Sequence, residues 1–313
     1  MINFLVTQMN NTSIKYPVVC FGEILWDILP TGALPGGAPM NVAYHLKKLG
    51  IEPAMITRIG SDDWGKSLIN LMEQNNISSD FFQLDDTLET GKVNATINQN
   101  KEVTYEIVKP VAWDNIQWED KLEPLVSAAG YFVFGSLATR SDITRNTLFK
   151  LLEISKFKVL DINLRAPHYN RKIIEQLLYK INLLKLNQAE LELITGWFTK
   201  YQSDIDRIKV LQDKFSIPSI VVTKGENGAL FNCNGIIYTH PGYRIIVADT
   251  IGSGDSFLAA LLSKLLNGNI AEEALQFASA LGALIASYNG ACPDYHTGEI
   301  SELVKRNAVQ QFN

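Results

Sequence analysis

The chain has 313 residues, with 28 Lys and Arg against 33 Asp and Glu and a formal net charge of −5 at pH 7. At this length a chain buries about 75% of the surface that its unfolded form exposes, so its core needs no disulfide or metal support. The acidic balance argues against nucleic acid as a partner, and three cysteines without Cys-x-x-Cys spacing favour neither a disulfide framework nor a zinc site.

Short apolar runs that predict strands buried on both faces alternate along the chain with segments of helical periodicity. The predicted strands are Val18–Ile24, Ala54–Gly60, Tyr131–Gly135, Lys158–Ile162, Leu183–Leu186 and Ile220–Thr223. The predicted helices are Asn41–Leu49, Trp64–Gln74, Ile143–Ile154, Arg171–Lys180, Asp204–Lys214, Ser256–Leu266 and Ala271–Ser287. This alternation predicts an α/β fold, a doubly wound and mainly parallel sheet flanked by helices.

Two segments interrupt the alternation. Leu29–Pro39 is dense in Gly and Pro, and Thr90–Lys109 alternates with period two around a polar turn at Asn98–Lys101, which predicts an antiparallel hairpin. Together they predict a small β-sheet lid, formed by about residues 29–36 and 88–112, with the active site beneath it. We expect residues 1–313 to form a single domain in which this lid is inserted.

The chain is expected to be a soluble, cytoplasmic protein. No stretch approaches the roughly 20 apolar residues that crossing a bilayer requires, so a membrane is not an expected partner. The first 17 residues lack the basic region and the apolar run of a signal peptide. The few, scattered cysteines fit a reducing compartment.

A formal Walker A match spans Gly60–Ser67, between a predicted strand and a predicted helix. Two adjacent carboxylates and an indole occupy the centre of the loop, where backbone N–H groups would have to converge on an anion. We therefore expect Ser61 or Asp62 to cap a helix, Trp64 to pack and Lys66 to face solvent. A P-loop nucleotide-binding protein is the alternative.

A second candidate for phosphate binding, Asp249–Phe257 (DTIGSGDSF), precedes an apolar helix. Gly252, Ser253 and Gly254 are small residues that let several N–H groups and the positive end of the helix dipole point at one anion. Asp255 follows in the first turn, where its carboxylate can accept a proton from a hydroxyl nucleophile. The alternative is an ordinary turn followed by a favourable first-turn acid.

Asp249–Phe257 resembles the C-terminal signature of the ribokinase-like, or phosphofructokinase-B, family of sugar kinases. Gly36–Ala43 (GGAPMNVA) resembles the N-terminal signature of that family. Asn187–Glu190 (NQAE) is similar to its Asn-x-x-Glu motif, and Val222–Gly228 (VTKGENG) to its nucleotide loop. The resemblance covers about Val18 to Leu303 and implies a ribokinase-like fold and a carbohydrate kinase that uses ATP and Mg²⁺.

The resemblance also implies catalytic and metal-binding roles. Asp255 matches the base that takes the proton from a sugar hydroxyl, and Gly252–Gly254 match the anion hole for the transferring phosphoryl group. Asn187 and Glu190 match residues that hold Mg²⁺ and phosphate, although Asn capping a helix with Glu three residues later is a structural alternative. Asp249 falls where family members bind an activating monovalent cation, K⁺.

Five residues match positions around the nucleotide in the family. Thr223, Gly225 and Gly228 match nucleotide contacts in the loop. Lys224 stands where an apolar residue is common, and a phosphate contact is its predicted role. Ser279 lies on the helix that borders the adenine pocket, at a position often occupied by Asn.

The sugar site should lie at the carboxyl edge of the sheet, under the lid. Asp27 matches a carboxylate that accepts two sugar hydroxyl bonds, and Asn41 with Gly37 matches the opposite wall. Asp161–Arg165 (DINLR) resembles the Asp-x-Asn-x-Arg of fructokinases and 2-keto-3-deoxygluconate kinases, where Arg165 reaches the substrate or the phosphate. A surface ion pair is the alternative for Arg165. Asp27 favours the fructokinase side, which predicts phosphorylation of fructose to fructose 6-phosphate.

Other functions stay open at this point. A kinase of the same fold for 2-keto-3-deoxygluconate, ribose or a nucleoside is one alternative, and a non-catalytic sugar or nucleotide sensor is another. The intact Gly-Ser-Gly-Asp argues against the sensor. The alternating apolar residues of the lid predict a homodimer formed through it.

Overall fold

The structure, a computed structural model, describes residues 14–30, 32–97, 103–200 and 203–310. These residues form thirteen strands. They are β1 (Val18–Phe21), β2 (Leu25–Leu29), β3 (Gly32–Gly36), β4 (Pro53–Gly60), β5 (Phe82–Asp85), β6 (Gly91–Ile97), β7 (Val103–Ile107), β8 (Tyr131–Gly135), β9 (Lys158–Asp161), β10 (Leu183–Asn187), β11 (Ser219–Thr223), β12 (Ala229–Cys233) and β13 (Ile236–His240).

Ten α-helices connect the strands within the same described ranges. They are α1 (Ala38–Lys48), α2 (Asp63–Gln74), α3 (Leu122–Ala128), α4 (Asp142–Ile154), α5 (Arg171–Leu178), α6 (Gln188–Gly196), α7 (Asp204–Phe215), α8 (Ser253–Leu266), α9 (Ala271–Ala286) and α10 (Thr297–Gln310). None of them has the length and apolar character that a membrane span requires.

The large sheet has nine strands in the order β13-β12-β11-β10-β9-β8-β1-β4-β5. Its strands from β11 to β5 are parallel to their neighbours, and β12 and β13 add an antiparallel edge. From β1 the chain first builds outward to β4 and β5 and then crosses to β8 on the other side. The predicted α/β fold, with a doubly wound and mainly parallel sheet, is confirmed.

The antiparallel edge formed by β12 and β13 was not predicted. Asn234 and Gly235 connect the two strands, and both have positive φ values, 50° and 88°. Asn-Gly between two apolar runs is the usual signal for a two-residue hairpin, because both residues tolerate the left-handed conformation. The signal was therefore present in the sequence.

Each face of the large sheet has its own hydrophobic core. Val18 and Cys20 of β1 belong to the core that contains α1, α8 and α9, whereas Val19 and Phe21 belong to the core on the opposite face. Successive residues of a strand point to opposite faces, so a strand buried on both sides has to be apolar throughout. The continuous apolar runs were correct predictors for this reason.

Helix α8 is buried nearly all round. Its residues from Phe257 to Leu262 are at most 4% exposed, between the sheet, α1 and α9. A helix that is apolar on every side has to be covered on every side, as the sequence predicts. This packing fixes where α8 begins, at the carboxyl edge of the sheet.

A second, small sheet contains β2, β3, β6 and β7 in the order β3-β2-β6-β7. Strands β3, β6 and β7 come from the two segments that interrupt the strand-helix alternation, whereas β2 precedes them and was not predicted. The presence of a small sheet is confirmed. It begins at Leu25, which places Asp27 on β2. The predicted turn at Asn98–Lys101 lies outside the described residues, and closure of the small sheet as a lid stays a prediction.

The Walker A match at Gly60–Ser67 is a capped helix start. Asp62 is the N-cap of α2, and its carboxylate accepts hydrogen bonds from Gly65 N at 2.8 Å, Thr90 N at 2.8 Å and Thr90 Oγ1 at 2.7 Å. Lys66 is 69% exposed in its side chain and pairs with Asp63. The Asp62 carboxylate occupies the place where the N–H groups of the loop would have to bind an anion.

We expect Asp62→Ala to lower the free energy of unfolding by about 2 kcal/mol, because it removes a helix cap and leaves two N–H groups without a hydrogen-bond acceptor. Lys66→Ala, the matched control, should stay within about 0.5 kcal/mol of the parent protein. Urea unfolding followed by circular dichroism measures both. A loss of ATP binding in Lys66→Ala, seen by calorimetric titration, would instead favour a P-loop.

Candidate active site

A cavity of about 1810 Å³ opens at the carboxyl ends of β1, β8, β9, β10 and β11. Residues that end or follow these strands line it, among them Glu23, Leu137, Asn163, Asn187 and Thr223. The small sheet contributes another wall. The cavity lies where the chain path reverses direction on either side of β1, the position at which open α/β sheets bind ligands.

Most residues that the sequence predicts for the site line this cavity. They are Asp27, Gly37, Asn41, Arg165, Asn187, Thr223, Gly225, Gly228, Gly252, Ser253, Gly254, Asp255 and Ser279. Glu190, Lys224 and Asp249 do not contribute to the lining. The structure therefore brings together residues from both ends of the chain, although it leaves their roles as predictions.

The start of α8 presents backbone to the cavity. Gly252 is the N-cap in the left-handed conformation, with φ of 75°, and a Cβ there would lie 2.5 Å from Ala291 Cα. A Cβ on Gly254 would lie 2.9 Å from Lys185 Nζ. The N–H groups of the first turn have no partner inside the helix, and they carry the positive end of its dipole. An anion can bind here.

Asp255 stands in this first turn and accepts a hydrogen bond from Asn41 Nδ2 at 2.7 Å. Burial, reinforced by the negative charge of Asp161, raises the pKa of Asp255 to about 6. Lys185, the Asn41 hydrogen bond and Arg165 act in the opposite direction. The carboxyl is therefore a stronger proton acceptor than an ordinary Asp and is still ionised at neutral pH.

Lys185 is a residue that the sequence analysis missed. It lies on β10, 7% exposed, and its Nζ donates to the two carboxylate oxygens of Asp161 at 2.8 and 3.0 Å. Burial alone would lower the pKa of Lys185, but the charges of Asp161 and Asp255 outweigh it and raise that pKa. A lysine inside an otherwise apolar buried strand was the available signal.

Asn187 and Glu190 form a capping box at the start of α6. Asn187 Oδ1 accepts from Glu190 N at 2.9 Å, and Glu190 Oε2 accepts from Asn187 N at 2.8 Å. Glu190 Oε1 accepts from Leu164 N at 2.8 Å, which ties α6 to the loop that carries Arg165. The structural alternative raised for this pair is thus realised.

The charge around Lys185 suits a cation. Three carboxylates, those of Asp161, Glu190 and Asp255, interact with the single charge of Lys185. Burial and the charge of Asp161 raise the pKa of both Glu190 and Asp255. Within the described ranges, no group of three or more His, Cys, Asp and Glu side chains could hold a metal ion directly. The negative charge of these carboxylates is what a hydrated Mg²⁺ would need, since that ion keeps several of its water ligands.

Lys224 and Asp249 do not line the cavity, and both have polar partners in neighbouring loops or helices. Lys224 Nζ lies 2.9 Å from Asp204 Oδ2, at the start of α7. Asp249 accepts from Ile251 N at 3.0 Å and from Gly290 N at 3.1 Å, which joins the loop before α8 to the loop after α9. In this conformation neither residue is brought to the cavity surface.

Asp27 lies at the other end of the cavity, on the small sheet. Burial raises its pKa to about 6, and the nearby Arg165 partly offsets the effect. No hydrogen bond from the described residues reaches its carboxylate. A half-buried carboxylate without a protein donor is ready to accept bonds from ligand hydroxyls.

Two hydroxyl groups near the loop after β13 are buried and unpaired. Ser279 Oγ and Tyr243 Oη have no hydrogen-bond partner within the described structure, and both residues line the cavity. Buried polar atoms are nearly always paired, so an orphaned pair in a cavity indicates a ligand-binding region. Ser279 was predicted from the family resemblance, whereas Tyr243 was missed.

A family model described as "pfkB family carbohydrate kinase" matches residues 31–297. Among curated proteins, the chain is 29% identical over 307 residues to "Probable fructokinase-7" of Arabidopsis thaliana, covering 88% of each. It is 28% identical over 311 residues to "Probable fructokinase-6, chloroplastic" of the same plant, covering 90% of this chain and 80% of that protein.

Solved structures share the fold. The fructokinase of Xylella fastidiosa with bound ATP has a TM-score of 0.82 at 21% identity, covering 93% of this chain and 98% of that one. A fructokinase of Vibrio cholerae, described with fructose, ADP and potassium ion, has a TM-score of 0.79 at 22% identity, covering 93% and 98%. A ribokinase-like fold is confirmed.

We expect Gly252→Ala to destabilise the protein more than Gly235→Ala does. Both residues have positive φ, 75° and 88°, but a Cβ at Gly235 meets nothing within 4 Å whereas one at Gly252 strikes the backbone of Ala291. The control should cost about 1–2 kcal/mol for the left-handed backbone alone. The collision should add about 1–3 kcal/mol at Gly252. Equal urea midpoints would contradict the close approach of the two loops.

Proposed function

The chain belongs to the pfkB family of carbohydrate kinases, and we propose that it transfers the γ-phosphate of ATP to a primary hydroxyl of a ketose, converting fructose to fructose 6-phosphate. The observation that carries the proposal is the Asp255 carboxylate at the N-terminus of α8, in one cavity with Asp27. Curated relatives named fructokinase support fructose as the substrate.

Asp255 is the proposed general base. It accepts the proton of the sugar hydroxyl as that oxygen attacks the γ-phosphorus and the bond to the β,γ-bridging oxygen breaks. A pKa of about 6 keeps it ionised at neutral pH and makes it a better acceptor than an ordinary Asp. Assistance of this kind is worth about 10²–10⁴-fold in rate.

The first turn of α8 is the proposed anion hole. Gly252, Ser253 and Gly254 bring N–H groups and the helix dipole to the transferring phosphoryl group, and the Lys185 ammonium beside Gly254 adds a positive charge. The transition state of phosphoryl transfer is loose, so fixed positive groups around it contribute more than covalent chemistry.

Positions for the cations and the nucleotide are part of the same proposal. We place Mg²⁺ near Asn187 and Glu190, where bound through water it would neutralise phosphate charge. Ser279 and Tyr243 offer hydroxyl groups to the adenine ring of ATP, and residues of the Thr223–Gly228 loop line the same cavity. Asp249 is the proposed contributor to a monovalent-cation site.

Sugar recognition is assigned to Asp27, Asn41 and Arg165. Asp27 on β2 and Asn41 on α1 both line the cavity, and both bond well to hydroxyls. Because a buried carboxylate would be left unpaired by the wrong ligand, Asp27 should discriminate strongly. Closure of the small sheet over the sugar excludes water and limits hydrolysis of ATP.

Asp255→Asn should lower kcat for fructose phosphorylation by at least about 10²-fold, since the amide cannot accept the proton. Asp206→Asn is the matched control, because Asp206 is also the third residue of its helix, α7, but lies at the surface. A coupled ADP assay measures both variants, and calorimetry checks that ATP still binds. Wild-type turnover in Asp255→Asn would remove Asp255 as the base.

The pH profile of kcat/KM should have an acid limb near pH 6. Protonated Asp255 cannot accept a proton, so activity falls as the pH drops through its pKa of about 6 and is full above about pH 7. The limb should persist in Asp27→Asn, which separates Asp255 from Asp27, whose pKa is also about 6. Loss of the limb in Asp27→Asn would assign it to sugar binding instead.

A panel of fructose, ribose, 2-keto-3-deoxygluconate and a nucleoside tests the substrate. We expect the highest kcat/KM with fructose, and Asp27→Asn should raise the KM for fructose by about 10-fold or more while changing the KM for ATP little. A higher kcat/KM with another member of the panel would keep the kinase and replace its substrate.

A further inference from the structure

Asn41 lies between Asp255 and a thiol that the mechanism above does not use. Its Nδ2 donates to Asp255 Oδ2 at 2.7 Å, and Cys292 Sγ donates to its Oδ1 at 3.3 Å. A chain of two hydrogen bonds therefore runs from the loop after α9, through α1, to the first turn of α8.

The direction of this chain matters because the two ends of an amide have almost the same shape and opposite hydrogen-bonding character. An ionised Asp255 needs the N–H end of Asn41, whereas a protonated one can donate to the C=O end. Burial raises the pKa of Cys292, so its thiol keeps its proton and acts as a donor. A donor at this position favours the orientation in which the amide N–H faces Asp255.

The loop that carries the thiol is held against α1 on both sides. Tyr44 Oη donates to Pro293 O at 2.8 Å. The ring of His45, which is fully buried, contacts Ala291 O through Nε2 at 2.9 Å and Tyr295 Oη through Nδ1 at 3.2 Å. These contacts fix the backbone on either side of the thiol, so it cannot turn away from the amide.

We propose that Cys292 is a positioning residue, whose thiol holds the Asn41 amide in the orientation that stabilises Asp255 as a carboxylate. The inference rests on the proposed function, in which Asp255 is the base. Cys292 does not line the cavity, and in this proposal it acts on Asp255 only through Asn41. Hydrogen bonds to the charged form of an acid favour that form.

Four other charged groups face Asp255 from the surrounding elements. Asp161 on β9 disfavours its ionisation, and Lys185 on β10 and Arg165 in the loop after β9 favour it. Glu23, after β1, is also close enough for the charges to interact, since Asp255 raises the pKa of Glu23. A substitution at position 292 changes none of these groups, but the thiol itself lies near Asp255, so the route through the amide needs its own test.

The test compares Cys292→Ala, which removes the donor, with Cys292→Ser, which keeps one. Cys233→Ala and Cys233→Ser are matched controls, because Cys233 is a free, half-buried thiol on β12 outside the cavity lining. We expect the acid limb of kcat/KM to rise by about one pH unit in Cys292→Ala only. Activity then falls about fivefold at pH 6 and almost not at all above about pH 8.

A double-mutant cycle tests the route through the amide. In an Asn41→Ala background, Cys292→Ala should cause no further shift of the acid limb, because the thiol has nothing left to orient. The proposal is overturned if Cys292→Ala and Cys292→Ser shift the acid limb equally, or if neither variant shifts it. It is also overturned if Cys292→Ala still shifts the limb in the Asn41→Ala background.

Carboxyl ¹³C NMR provides a readout that needs no turnover. The Asp255 signal, assigned by its absence in Asp255→Asn, should titrate at a higher pH in Cys292→Ala than in wild type or Cys292→Ser. If wild type phosphorylates no sugar of the panel, the proposed function fails while this titration still decides the role of Cys292. An unchanged titration in Cys292→Ala overturns that role whatever the activity.

Discussion

The burial of α8 on every side is the constraint on which the site depends. Because the sheet, α1 and α9 enclose Phe257–Leu262, the helix has one position, and its first turn is fixed at the carboxyl edge of the sheet. The positive end of the helix dipole, with first-turn N–H groups such as that of Gly254, then lies at the cavity. A chain with net charge −5 can thus bind an anion, since the positive potential is local.

Much of the fold could be predicted from the sequence, for a physical reason. Central parallel strands are covered on both faces and are therefore apolar throughout, and six such runs predicted β1, β4, β8, β9, β10 and β11. Strand β5 was missed because it is a short edge strand of mixed polarity, Phe82–Asp85. The hairpin of β12 and β13 was missed although Asn234-Gly235 marks it, because β13 is a partly exposed edge strand and not one buried on both faces.

The candidate site could be predicted only where local sequence carries a motif. The glycines and acid of Gly252–Asp255 work within one turn of helix, so their spacing is readable. Cys292 meets Asn41 across 251 positions of the chain, and only the packing of α1 against the loop after α9 brings them together. Lys185 lies between these cases, because a buried charge in a strand indicates a partner without identifying Asp161.

The carboxyl groups gathered in the cavity have a thermodynamic consequence. Burial raises the pKa of Glu23 to about 7 and those of Asp27 and Asp255 to about 6, whereas an unfolded chain titrates them near pH 4. Between about pH 4 and pH 7 these three groups hold protons in the folded protein that they release in the unfolded chain, so their own contribution to stability falls as the pH rises through that window. At neutral pH these three carboxyl groups therefore oppose folding, and a cation or a hydrogen-bond donor bound beside them would offset that cost.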